Sequence, residues 1–199
     1  ANSVNFALKQ YNFAIHPIEA YRFMVGNGVN KLLERALPVE HRNADVILMI
    51  KQDFIKHYFA HSDEFTKPYQ GVNELLKKLS DDGYQLAIAS NKVHVATTEL
   101  AKRFFPETKF IKVLGQRDGF PTKPDPAILE EIIATAGVSK KDVLYVGDSG
   151  VDVATAINAN VDFAGVLWGF RPRNELEAIG AKTFVENTEE LYKLILLKK

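Results

Sequence analysis

Val143-Leu144-Tyr145-Val146-Gly147-Asp148-Ser149-Gly150-Val151-Asp152 passes from an apolar run into a polar turn, and a helix-like run, Val153 to Asn158, follows it. Four apolar residues closed by a glycine read as a buried strand. The strand therefore delivers two carboxylates, four residues apart, to the start of a helix. In open α/β sheets the carboxyl ends of strands are where ligands bind. Two aspartates at such an edge suit a hard cation such as Mg²⁺, held through a few carboxylates plus waters and a substrate phosphate. A plainer role competes for part of this stretch, because Ser149-x-x-Asp152 also has the form of a capping box. Capping does not require Asp148, which precedes the serine at the strand tip.

The alternation extends outward from this stretch. A helix is expected over about Val72 to Asp81, stopped by Gly83, then a strand at Leu86 to Ala89 and a helix from His94 to Phe104. A strand at Phe110 to Leu114 leads into a Gly/Pro-rich loop, residues 115–126, and a helix from Ala127 to Ala136 stops at Gly137. Beyond Asp152 the pattern predicts a strand over Val161 to Leu167, a short helix near Glu175 to Ile179, a last strand at Thr183 to Val185 and a last helix at Glu189 to Leu197. Alternating strands and helices imply a parallel sheet with helices on both faces. The first third differs. Apolar residues recur there at helical spacing, most clearly through Val46, Ile47, Ile50, Phe54, Ile55 and Tyr58, and no strand is expected before residue 80. The expected architecture is a helical domain, about residues 1–66, and a doubly wound α/β domain, about 67–199. A doubly wound sheet usually begins with its own strand, so a first core strand is expected upstream of Ala1, with the helices inserted after it.

Composition narrows the classes. Lys+Arg and Asp+Glu are both 25, so no broad basic field is available for a nucleic-acid backbone. No apolar run approaches a membrane-spanning length. The absence of cysteine excludes disulfides, thiolate metal sites and a Cys nucleophile, and fits a cytoplasmic location.

Three further clusters could carry chemistry. Ser90-Asn91-Lys92 follows a strand, where a hydroxyl and backbone N–H groups could hold a phosphate, or where Ser90 or Asn91 could cap the next helix. Thr122-Lys123-Pro124-Asp125-Pro126 holds Lys123 on a stiff stem, where its ammonium suits a phosphoryl oxygen or a carboxylate, or is solvated ahead of a helix. Gly26-Asn27-Gly28 permits a tight loop that could face a substrate or only connect helices, and Arg22 nearby could contact an anion. Trp168 and the Arg171-Pro172-Arg173 pair follow a strand end and could line a cleft or pack the surface. The five histidines read as surface or core residues, and no Gly-x-Ser-x-Gly, Walker loop or dinucleotide fingerprint occurs.

Taken in order, Ser90, Lys123, Asp148 and Asp152 resemble three of the four signature motifs of the haloacid-dehalogenase superfamily of hydrolases. The helical first third is similar to that family's inserted cap. Gly26-Asn27-Gly28 with Glu34-Arg35-Ala36-Leu37, then Lys123-Pro-Asp-Pro and Gly147-Asp-Ser-x-x-Asp, resemble its phosphoglycolate phosphatase branch. The resemblance implies a Mg²⁺-dependent phosphatase acting on a small phosphorylated metabolite through an aspartyl-phosphate. Asp148 would ligate the metal, and Asp152 would orient metal-bound water or Lys123. Ser90 and the adjacent backbone would hold phosphoryl oxygens, Asn91 would belong to the same catalytic cluster, and Lys123 would screen negative charge. Arg22, Gly26, Asn27 and Gly28 would face the substrate from the cap, which would close over the site. The family's nucleophile belongs to an Asp-x-Asp-x-Thr motif, which is absent from these 199 residues and is expected upstream of Ala1. Neither nucleic acid nor membrane is expected as a partner, and the protein is expected as a monomer or homodimer. A sugar-phosphate mutase of the same superfamily and a non-catalytic, receiver-like phosphate-binding protein are the competing readings.

Overall fold

The computed structural model describes residues 1–198, which form two compact units, Ala1–Thr66 and Lys67 onward. The first is all-helical, with α1 (Asn2–Gln10), α2 (Gly28–Ala36) and α3 (Ala44–His61), and 3₁₀ turns at Ile18–Phe23 and Val39–His41. Val4 and Leu8 of α1, Leu33 and Ala36 of α2, and Ile50 and Phe54 of α3 share one core, because each pair sits three or four residues apart and so on one helix face. Asn43 starts α3 by accepting the Val46 N–H. His57 and His61, one turn apart on α3, stack on each other with ring centres 4.2 Å apart, and Phe6 stacks on the other side of His57 at 4.1 Å. Burial, then the neighbouring His61, lowers the His57 pKa.

The second unit alternates as expected, in the order α4 (Val72–Asp81), β1 (Leu86–Val93), α5 (His94–Phe104), β2 (Phe110–Gln116), α6 (Ala127–Ala136), β3 (Leu144–Gly147), α7 (Gly150–Ala159), β4 (Asp162–Val166), α8 (Arg173–Ile179), β5 (Phe184–Val185) and α9 (Thr188–Leu196). All the strand pairs are parallel: β1 with β2, β3 with β4, and β4 with β5. Successive β4 residues serve opposite faces, as a pleat requires. Ala164 and Val166 pack with Leu75, Leu79 and Leu191 of α4 and α9, whereas Phe163 packs with Val153 of α7 and Leu176 of α8. Helices thus cover both faces.

Two boundaries differ most from the sequence reading. Helix α7 starts at Gly150 rather than Val153, because Ser149 caps it by accepting the Asp152 N–H. Strand β1 continues past Ala89 to Val93, but its register with β2 breaks between Ala89 and Val93, so the regular ladder ends where the strand was expected to end. The strands form two parallel sheets, β1-β2 and β3-β4-β5, as expected of a doubly wound unit whose first core strand lies outside these residues. Between them lies an apolar cavity of about 710 Å³, bordered by residues 86–89 of β1 and 144–146 of β3 and lined from the helices by Leu75, Leu79, Ile133 and Leu191.

Candidate active site

The carboxyl ends of β1 and β3 are brought together by Lys123. Its Nζ donates to the carbonyl oxygen of Ala89 on β1 (3.1 Å), to the hydroxyl of Tyr145 on β3 (2.9 Å) and to Asp152 Oδ1 in the first turn of α7 (2.7 Å). Lys123 is only 8% exposed, so this ion pair is nearly free of solvent screening. Asn91 fixes the lysine's main chain from both sides. Its Nδ2 donates to the Lys123 carbonyl (3.0 Å), and its Oδ1 accepts the Lys123 N–H (2.9 Å). The peptide bond from Lys123 to Pro124 is cis.

Asp152 is saturated. Oδ1 accepts from Lys123 and from the Tyr145 hydroxyl (2.8 Å), and Oδ2 accepts from the Ser149 hydroxyl (2.6 Å). Burial alone would raise its pKa. The Lys123 ammonium and the bonds from Lys123, Ser149 and Tyr145 outweigh that and hold the carboxyl below its ordinary value. A Cβ on Gly147 would strike the Asp152 side chain, so glycine is what lets β3 pass this carboxylate.

Asp148 is differently placed. The main chain after β4 holds it, with Phe170 N–H donating to Oδ2 (2.8 Å), and a Cβ on Gly169 would collide with the same carboxylate. Burial pushes the carboxyl above the usual carboxylate range, against the pull of the Phe170 amide, and the nearby Asp152 charge adds to the rise. Among the described residues no salt bridge reaches Asp148, and no group of three His, Cys, Asp or Glu side chains could hold a metal ion. The donor set therefore fits one carboxylate's share of a Mg²⁺ site. Mg²⁺ needs only one or two protein carboxylates, because it keeps waters and substrate oxygens as its remaining ligands. Asp152, with its oxygens engaged, is placed to position Lys123.

Ser90 Oγ accepts the Lys92 N–H (3.1 Å), a local turn bond that leaves its proton available for donation. Asn91, grouped from the sequence with the catalytic cluster, uses its side-chain amide to hold the Lys123 main chain. Gly26-Asn27-Gly28 lies in the helical unit, with Gly26 at φ +113° and Gly28 at φ +82°. Arg35 braces that loop, donating to the Met24 carbonyl and to Asn27 Oδ1, both at 2.8 Å. The Arg22 guanidinium lies 5.4 Å from the Phe23 ring centre in the 3₁₀ turn. Trp168 packs against the α4/α9 core and lines the cavity, while Arg171 and Arg173 pair with Glu175 and Glu177.

The sequence reading missed Tyr145. Its hydroxyl is the one polar group in the run Val143 to Val146, and a buried tyrosine hydroxyl needs a partner. That signal was available, but the partner's identity was not.

The α/β unit thus carries a buried Lys–Asp pair and a second carboxylate near its strand ends, and a helical unit precedes it in the chain. The chain belongs to the haloacid dehalogenase-like hydrolase family, whose sequence profile matches residues 1–166. A phosphoglycolate phosphatase of Cereibacter sphaeroides is 34% identical over 176 residues, covering 85% of this chain and 78% of that protein. One from Mesorhizobium japonicum is 30% identical over 178 residues, covering 88% and 78%. The crystal structure of a candidate phosphoglycolate phosphatase from Lactobacillus delbrueckii subsp. bulgaricus superposes with a TM-score of 0.91 at 28% identity, covering 98% of this chain and 90% of that one.

Proposed function

We propose that this protein hydrolyses a small phosphomonoester in a Mg²⁺-dependent reaction, and that 2-phosphoglycolate is the first substrate to test. The observation that carries this is the convergence of a buried ammonium, an ion-paired carboxylate and a carboxylate without a cationic partner at the ends of β1 and β3. The names of the relatives support phosphatase over mutase chemistry. The placement of Lys123 in the loop before α6, rather than on a last strand, argues against a receiver-like protein.

A carboxylate attacking a phosphate dianion meets repulsion, so positive charge has to converge on the reacting oxygens. Lys123 supplies one charge from the protein. Bound at Asp148, Mg²⁺ would supply the rest by polarising the phosphoryl oxygens. An attacking carboxylate carried on a strand between β1 and β3, along the apolar cavity that both line, would lie beside Lys123, whose ammonium reaches Ala89 and Tyr145 there. Attack forms an aspartyl-phosphate as the P–O bond to the alcohol breaks. A second aspartate on that strand protonates the leaving oxygen and then takes a proton from the water that releases phosphate. The Ser90 hydroxyl donates to a phosphoryl oxygen. A monomeric or homodimeric cytoplasmic enzyme completes the proposal, and among the described residues no helix is long and apolar enough to cross a membrane.

The test is a screen of phosphomonoesters, with and without Mg²⁺, on polypeptide carrying the nucleophile strand, alongside Asp148→Ala. Loss of one well-placed electrostatic partner of this kind costs about a hundredfold or more in rate. Full activity in Asp148→Ala, or turnover indifferent to Mg²⁺, refutes the assignment.

A further inference from the structure

An ammonium has three hydrogens to donate, and Lys123 has committed all of them. One goes to Ala89 O, one to the Tyr145 hydroxyl and one to Asp152 Oδ1. No hydrogen is left for a phosphoryl or carboxylate oxygen. If Lys123 is to meet an anion, as the phosphatase reading requires, one of the three partners has to be released.

We infer that Tyr145 is that partner: its hydroxyl holds one Lys123 hydrogen in the free protein and yields it to the incoming anionic oxygen, which makes Tyr145 a positioning residue for Lys123. This rests on the proposed phosphoryl site. The three partners are unequal in what their release costs. Asp152 is charged and has the shortest bond, at 2.7 Å, and breaking that contact would separate a buried ion pair. Ala89 O, a main-chain acceptor, would lose its lysine donor with no gain elsewhere. The Tyr145 oxygen is a neutral acceptor, and its own hydrogen already goes to Asp152 Oδ1 at 2.8 Å. It therefore stays hydrogen-bonded whether or not Lys123 is attached. The ring adds a second reason. Lys123 Nζ lies 5.6 Å from the Tyr145 ring centre, so an ammonium leaving the hydroxyl remains within cation–π range of the same side chain. Packing against Phe163, with ring centres 6.2 Å apart, holds the ring in place while Nζ moves.

The consequence has a sign that a purely structural role would not produce. Tyr145→Phe keeps the ring and removes an acceptor that Lys123 uses only when no anion is bound. The bond to Asp152 is lost in both states and cancels. Anion binding should therefore tighten about tenfold or more, the equivalent of one hydrogen bond from a charged donor, while the thermal midpoint falls. Two measurements on the full chain test this. The first is calorimetric titration with inorganic phosphate at fixed Mg²⁺. A lower Kd in Tyr145→Phe supports the inference, and an equal or higher Kd overturns it. The second needs no ligand: in ¹H–¹⁵N spectra of the lysine ammonium groups, the Lys123 signal should be protected from exchange in the wild type and exchange faster in Tyr145→Phe. Unchanged exchange overturns the inference on its own. Faster exchange with no phosphate bound by either protein leaves the hydroxyl's hold on Lys123 standing and removes the phosphoryl reading instead.

Discussion

Exchanging Asp152 for asparagine strands the Lys123 ammonium in the interior beside two neutral acceptors. The pair is 2.7 Å apart, with each side chain 9% exposed. At that separation the direct attraction is about 6 kcal/mol for an effective dielectric of about 20. Desolvation of both groups offsets part of it, and removing one member of a buried pair typically costs about 3–5 kcal/mol, chiefly through the charge left behind. For a unit of this size that is a fall of about 10 °C or more in Tm. Lys123→Met should cost a similar amount, and the double variant Lys123→Met/Asp152→Asn should cost clearly less than the sum, by about 2 kcal/mol or more. Trp168 is the chain's single tryptophan and lies in the α/β unit, so urea unfolding followed by its fluorescence reads this unit alone. Additive losses in the double variant would refute the claim that the two side chains stabilise each other.

Two further expectations are independent of that cycle. Gly169→Ala puts a Cβ against the Asp148 carboxylate and should shift it off the Phe170 amide, weakening Mg²⁺ binding at least tenfold by titration calorimetry while the far-ultraviolet circular dichroism stays unchanged. Glu131 accepts from Arg117, and that bond, against the effect of burial, holds its carboxyl below the ordinary value of 4.5. A depressed folded pKa contributes stability that is present above the unfolded value and lost as pH falls through the folded one. The stability difference between wild type and Glu131→Gln, measured by urea unfolding, should therefore be present at pH 7 and shrink below pH 4.5.

The alternation of the second unit was legible because each strand is an apolar run closed by glycine or a polar turn, and each helix carries a spaced apolar stripe. The division expected near residue 66 was drawn from the same signal, since strand-like runs begin only after it. Asp148 could be singled out because helix capping leaves it without a local role. The partner of the Asn91 side chain could not be read from the sequence. Its local pattern suggests a helix cap, and the partner it has, the Lys123 main chain, lies 32 residues away. Tyr145 was hidden in its apolar run.

From the sequence alone came the kinds of group present and their stations at strand ends, because strand periodicity and helix starts are local properties of the chain. Which of those groups touch was decided by tertiary structure. The Lys123–Asp152–Tyr145 contacts join three elements, and only the packing of β1, β3 and α7 brings their oxygens within reach of one nitrogen. Hydrogen bonding acts over about 3 Å, so partners far apart along the chain become known only when the fold is closed.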